Sequence, residues 1–408
     1  MKAFVIAGGV PQIELIKQLK SRGITTVLAD GSPNAVARPY ADIFYHVNIF
    51  DIPAIKEIAE KEQVDFLLTV CADQVLLVVA EVSEMLGLPC YIDYKTAQDV
   101  SDKIRMKRIF KKSGVPSTEY VETDRLDMDA ISRLHYPLVV KPVDAYSSKG
   151  VRKAENEEEL RRYYAEAQQI SRSGRVIVEE FFKGDEISVD AFVVNGKAKI
   201  LTVTNSEKVK DNDRFVIFRG RYPAKASETV LHKIEDIAQK IADGFGLVNS
   251  PLLIQLLYNG DDVSVLEFCA RTGGNMKWLL IKYSCGVDVI TATIDITLGK
   301  APELELKDTG HRIVVDDFIY CYPGVFDHFE GFDEMVKQGY INEFHPGRIK
   351  GTEMRGVTCS SDRIAGMNIV ANSIEEFNAK EKRILESVRV IDVNGRDIMR
   401  KDLLPELE

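Results

Sequence analysis

The chain has 408 residues, 45% hydrophobic and 28% charged, and 53 basic against 63 acidic residues give a formal charge of −10. Those fractions exclude wholesale disorder, collagen-like repeats and coiled coil. The acidic balance argues against sequence-independent nucleic-acid binding, which needs a basic footprint. The length predicts two or three domains. The six cysteines (Cys71, Cys90, Cys269, Cys285, Cys321, Cys359) are scattered and form no CxxC pair. Reduced thiols are therefore expected, with neither a zinc cluster nor a disulfide framework. No apolar run approaches the ~20 residues of a membrane span, and MKAFVIAGG is too brief for a signal peptide. The expectation is a soluble cytoplasmic protein with no membrane partner.

The first segment alternates strand and helix: Lys2 to Ala7 as a strand, Pro11 to Ser21 as a helix, and Thr25 to Ala29 as a strand. A helix at Ile52 to Glu62, a strand at Asp65 to Val70, a helix at Asp73 to Leu86 and a short strand at Cys90 to Ile92 follow. This βαβ rhythm predicts a parallel sheet covered by helices. Gly8-Gly9 follows the first strand without GxGxxG spacing, which weakens a nicotinamide-binding reading. After Thr96 the pattern changes. A helix at Asp102 to Lys112, a strand at Tyr136 to Pro142, a helix at Asn156 to Gln169 and a strand at Val176 to Phe182 are predicted. Strands at Glu186 to Val194 and Ala198 to Val203 flank Asn195-Gly196, and strands at Leu252 to Tyr258 and Val263 to Phe268 flank Asn259-Gly260. Both are antiparallel hairpin signals. A helix at Thr229 to Phe245 lies between the two hairpins. The tail predicts short strands at Ile313 to Val315, Phe318 to Tyr322 and Gly366 to Val370, then a helix at Ser373 to Val388.

Several pieces can carry chemistry. Asp102-Lys103 opens a helix, and Lys141 sits near the end of YPLVVKP, where a point charge in a cleft suits phosphate oxygens. The loop AYSSKG from Ala145 to Gly150 offers small residues and backbone N–H groups. Then come VEEFFKGDE, ending on Glu186, and EFCARTGG from Glu267 to Gly274. Gln255 and Glu267 stand twelve positions apart on the strands of the second hairpin, and oxygen ligands of that kind suit magnesium on substrate phosphates.

In this order the pieces resemble the ATP-grasp carboxylate–amine/ammonia ligases over nearly the whole chain. The resemblance implies a mixed α/β and α+β chain, with a Rossmann-like pre-ATP-grasp domain over 1–95 and an ATP-grasp domain over 96–309. The latter divides into a part over 96–205 that includes the central nucleotide-binding lobe, and a metal and substrate lobe over 206–309. Residues 310–408 would complete the substrate pocket or serve as a lid and dimer surface. By the same resemblance Lys103 and Lys141 reach phosphates, with Ser147, Ser148 and Gly150 in a lid over them. Glu179 would meet the adenine amino group through backbone and side chain, Phe182 through its backbone, and Glu186 the ribose hydroxyls. Glu180 falls among these nucleotide contacts, although an acid flanking a hairpin is ordinarily solvated.

Magnesium, or manganese in its place, would be held by Glu267 and Gln255. Cys269 stands where asparagine is usual in E-x-N-x-R, and a thiol suits magnesium poorly. Asn275 or water is the expected replacement. Arg271 matches the arginine that steadies the γ-phosphate or acyl-phosphate. Arg214, Arg219 and Arg221 are the candidates for holding a substrate carboxylate, with Lys208 behind them.

The implied activity is ATP-dependent activation of a carboxylate as an acyl-phosphate for attack by an amine or ammonia. The flavour is that of a single carbamoyl-phosphate synthase large-subunit half acting alone on an amino acid or small organic acid. The rival reading is a catalytically impaired ATP-binding regulatory or scaffold protein, which Cys269 favours. The partners expected are small molecules, with a homodimer as the base-rate assembly.

Overall fold

The computed structural model describes residues 1–145, 149–209, 215–274 and 276–408. The amino-terminal layer is β1 (Lys2–Ile6), α1 (Val10–Ser21), β2 (Thr25–Asp30), β3 (Ile43–His46), α2 (Ile52–Glu62), β4 (Phe66–Leu68) and α3 (Asp73–Leu86). Its four strands are parallel, in the order β3-β2-β1-β4. Residues 3–6 of β1 are fully buried, as a strand covered by helices on both faces requires. The strand order reverses between β1 and β4. A crevice forms outside the carboxyl ends of strands at such a point, and here those ends lead into Ala7–Gly9 and Cys71–Asp73. The strand expected at Cys90–Ile92 does not form: Pro89 has no N–H to donate, and Asp93 caps α4 (Tyr94–Ser101) through the Thr96 N–H at 2.8 Å. Too little chain is left to pair.

α5 (Lys103–Ser113) begins at the Asp102 cap and ends at Gly114 in the left-handed region. Next come β5 (Tyr120–Thr123), α6 (Met128–Ile131), β6 (Leu138–Pro142), β7 (Arg152–Ala154), α7 (Glu157–Ile170) and β8 (Val176–Glu180). They make an antiparallel sheet, β5-β8-β6-β7, whose apolar face packs on Leu160, Tyr163, Tyr164 and Ala167 of α7.

The rest is β9 (Asp185–Val194), β10 (Lys197–Lys208), β11 (Ile217–Tyr222), α8 (Glu228–Gly244), β12 (Ser250–Asn259), β13 (Asp262–Cys269), α9 (Lys277–Cys285) and α10 (Val289–Thr297). Then follow β14 (Ile313–Ile319), β15 (Gly324–Glu330), α11 (Phe332–Lys337), β16 (Glu343–Pro346), β17 (Glu353–Met354), β18 (Ala365–Ala371), α12 (Ile374–Ser387) and β19 (Arg389–Asp392). The two short strands expected at 313–315 and 318–322 are thus one strand, β14, because Asp316 and Asp317 lie buried within it. An eight-stranded sheet runs β13-β12-β9-β10-β11-β14-β18-β16. Pairing of β14 with β11 makes β14, β18 and β16 an extension of the sheet that carries β9 to β13. A second small sheet, β17-β15-β19, closes the carboxyl end.

One packing feature fixes the site. Phe110 of α5, Phe245 after α8 and Phe268 of β13 form a ring cluster with centroids 4.4–6.1 Å apart. Each such aromatic pair adds about 0.5–1.5 kcal/mol beyond area burial. Side chains alternate along a strand, so burying Phe268 turns Glu267 the other way, into the cleft between the two antiparallel sheets. The same cluster anchors α5, whose Lys103, Lys107 and Phe110 share one helical face. Among the described residues no helix is long and apolar enough to cross a membrane.

Candidate active site

The cleft holds a cavity of about 290 Å³ whose wall includes Lys103, Lys141, Glu179, Glu180, Phe182, Glu186, Gln255 and Glu267. Eight residues expected from sequence thus meet in one place, from α5, β6, β8, β9, β12, β13 and the β8–β9 link. Lys208, Phe215, Thr118 and Lys149 line it as well. Ser147, Ser148, Arg214 and Asn275 lie outside the described residues.

The geometry revises several roles. The Glu179 side chain turns inward: its Oε2 accepts from Lys141 Nζ at 3.0 Å, Lys107 Nζ at 3.3 Å and Thr118 Oγ1 at 3.1 Å. Its backbone is paired with Tyr120 and Val139 inside the sheet, so the contact expected between Glu179 and a base is not supported. Burial alone would raise this carboxyl, but Lys107 and Lys141 outweigh it and hold it at about 2. Glu180 accepts from the His135 backbone N–H at 3.0 Å and pairs with its Nδ1 at 2.8 Å. Glu186 accepts from Gln255 Nε2 at 3.2 Å and pairs with Lys208 Nζ at 2.5 Å. Lys208 therefore sits beside the carboxylate expected at the ribose. Gly150 does not line the cavity. Its φ is +75°, and a Cβ there would meet Ile170 Cδ1 at 2.8 Å and Pro142 Cγ at 2.9 Å, so glycine is needed for the loop to fold back against β6.

Lys103 crosses the cleft, donating to the Ala145 carbonyl at 2.9 Å and pairing with Glu267 Oε2 at 3.2 Å. Burial would lower its pKa, but Glu267 raises it on balance. Gln255 and Glu267 are directly opposed across β12 and β13. This all-oxygen pair fits magnesium, which takes few protein ligands and keeps several waters beside phosphate oxygens. Among the described residues no group of three or more His, Cys, Asp or Glu could hold a metal ion, so such an ion would depend on those outside oxygens. Cys269 leaves the set: its thiol hydrogen-bonds Asp73, and burial pushes its pKa far up.

A second cavity of about 420 Å³ lies at the carboxyl ends of β1 and β4, lined by Gly9, Cys71, Asp73, Arg271, His345 and Arg348 among others. A narrow space joins the two. Lys103, Ala145 and Glu267 line it together with the first cavity, and Asp73, Gln74 and Arg271 together with the second. Arg271 Nε donates to Asp73 Oδ1 at 2.6 Å and Nη1 to the Thr272 carbonyl at 2.8 Å. Burial would raise the Asp73 carboxyl, yet the Arg271 guanidinium and the Cys269 thiol hold it below the usual range.

Two expected substrate arginines are not there. Arg219 is fully buried in the eight-stranded sheet, with Nε on Asp317 Oδ1 at 2.5 Å and Nη2 on Glu381. Arg221 pairs with Glu207 at 3.3 Å and Asn205 at 3.1 Å. Strand alternation places both on the face that receives α12, where Glu207, Asp317 and Glu381 already pair with them. The sequence reading missed Asp73, Thr118, Lys107 and Arg348. Only Lys107 left a local signal, one helical turn past Lys103.

A family model described as "ATP-grasp domain" matches residues 134–278. That span carries Lys141, Glu179, Glu186, Gln255, Glu267 and Arg271. The chain carries an ATP-grasp domain over that stretch. It is 28% identical over 282 residues to formate-dependent phosphoribosylglycinamide formyltransferase of Shewanella frigidimarina, covering 66% of this chain and 68% of that protein. It is 21% identical over 305 residues to the carbamoyl-phosphate synthase of Methanobrevibacter smithii, covering 71% and 79%. The crystal structure of an L-amino acid ligase from Bacillus licheniformis superposes with a TM-score of 0.79 at 18% identity, covering 96% of this chain and 98% of that one. This chain thus has a mixed α/β ATP-grasp fold, with a Rossmann-like layer of parallel strands at its amino end.

Proposed function

We infer that this chain is an ATP-dependent ligase that joins a small carboxylic acid to an amine or ammonia. The observation that carries the reading is the pair of cavities meeting at Lys103, Glu267, Asp73 and Arg271. ATP occupies the first cavity: base against the β8–β9 link, ribose at Glu186, phosphates toward Lys141 and Lys103. Magnesium, held by Glu267 and the Gln255 side-chain oxygen, neutralises phosphate charge when bound. The second cavity receives the acid. Arg348 donates to the backbone oxygens of Gly347 and Ser361, and no carboxylate among the described residues pairs with it. It takes the part first expected of Arg219 and Arg221, because guanidinium presents two parallel donors to a carboxylate.

A carboxylate oxygen attacks the γ-phosphorus in line, the bond from that phosphorus to the β,γ-bridging oxygen breaks, and ADP leaves. The amine nitrogen then attacks the acyl carbon, phosphate departs, and the ammonium proton passes to solvent. Lys141 and Lys103 stabilise the charge gathering on the phosphoryl oxygens, and Arg271 the charge on the acyl oxygen. Asp73 keeps Arg271 aimed. No side chain needs to become covalently attached, and catalysis is positioning and electrostatics. The reading is completed by a cytoplasmic homodimer acting on small molecules, with an amino acid as the favoured acid.

ADP release by the purified chain, with magnesium, ATP and a pool of carboxylates and amines, tests this. Turnover should appear with one combination and fall at least 100-fold in Glu267→Ala. Absence of ADP above background across a broad panel would count for a nucleotide-binding protein without chemistry.

A further inference from the structure

Lys107 lies 2% exposed on α5 and does not line the nucleotide cavity. A lysine held so far from water is expected only where it is paired. Its partner is the oxygen that Lys141 also uses: Glu179 Oε2 stands 3.3 Å from Lys107 Nζ and 3.0 Å from Lys141 Nζ. Two ammonium groups thus share one carboxylate, and the cluster carries a net charge of +1. Lys141 and Glu179 alone would sum to zero, leaving the phosphate end of the cavity with a lysine already neutralised by its neighbour.

We propose that Lys107 is a positioning residue that sets the charge of the nucleotide site: by taking up the charge of Glu179, it leaves Lys141 with a positive surplus for the triphosphate. The proposal rests on the first cavity being the ATP site. It assigns Lys107 no contact with ATP. Its effect passes through Glu179, whose one oxygen both lysines share. Glu179 of β8 ties Lys141 of β6 and Lys107 of α5 together, so the charge balance is built into these three elements.

The test is a charge series on the full chain, reading the affinity for MgADP by calorimetry at low and moderate salt. Lys107→Met makes the cluster neutral, and MgADP should bind about 10- to 100-fold more weakly. Lys107→Met with Glu179→Gln returns the cluster to +1 and should bind within about threefold of wild type. Glu179→Gln alone raises it to +2 and should bind as tightly as wild type or tighter, with a steeper salt dependence. Lys107→Arg keeps the charge and the affinity. Affinity should therefore follow cluster charge and not residue identity.

A merely structural lysine predicts the opposite order, with the double variant as weak as Lys107→Met or weaker, and that result would overturn the proposal. So would Lys107→Met binding like wild type. Where Lys107→Met does not fold, Glu179→Gln and the double variant decide the matter: loss of affinity in either refutes it. Lys141→Ala separates this failure from that of the site itself. If Lys141→Ala binds MgADP normally, the nucleotide reading is wrong. If Lys141→Ala loses binding and the series does not follow charge, only the role of Lys107 is wrong.

Discussion

Glu179 should make the stability of this chain fall in acid by a calculable amount. The residue is 2% exposed, and its carboxyl sits at about 2 against an ordinary 4.5, because Lys107 and Lys141 outweigh the cost of burial. A depression of that size corresponds to about 3 kcal/mol of pH-dependent stability. The sign follows from linkage. A group whose folded pKa is depressed contributes fully above its unfolded value, and the contribution is lost as pH falls through the folded one. It should be complete at pH 6–7, start to decline below about pH 5, and have lost about 2 kcal/mol by pH 3. Glu179→Gln cannot titrate. In urea titrations followed by far-ultraviolet circular dichroism, the stability gap between wild type and Glu179→Gln should be widest near neutrality and shrink by that amount toward pH 3. A gap that stays constant from pH 7 to pH 3 would show that Glu179 does not bear the charge assigned to it, and the balance drawn around Lys141 would fall with it.

Asp73→Asn should cost about 1–3 kcal/mol, below the range for a fully buried pair because the Asp73 side chain is 30% exposed. A double-mutant cycle with Arg271→Met should show strong non-additivity in both stability and turnover. Glu186→Gln should erase most of the preference for ATP over 2′-deoxy-ATP in KM, since a charged hydrogen bond to a hydroxyl is worth about 1.5–3 kcal/mol; unchanged selectivity would move the ribose elsewhere. Phe268→Ala removes the centre of the ring cluster and should destabilise the chain by about 3–5 kcal/mol. It should also raise KM for ATP, because α5 and β13 lose their common anchor; a loss of stability with KM unchanged would separate that core from the site.

Local pattern was enough for much of the fold. The bounds of α2 and α3, the strand at VVKP and both Asn-Gly hairpins follow from apolar spacing, the Asp51 cap of α2 and turn residues, whose physics acts within a few positions. The motif order likewise picked out Lys103, Lys141, Glu186, Gln255 and Glu267, which come together in one cavity. Periodicity says which face is buried, but not which distant group it meets. Glu179 meets Lys107 across 72 positions and Arg271 meets Asp73 across 198. Arg219 reads as a free substrate arginine until Asp317, 98 positions on, and Glu381, 162 positions on, arrive beside it. Charges seek partners through space at short range, so strand order and helix docking decide which of them are spent inside the protein and which face a ligand.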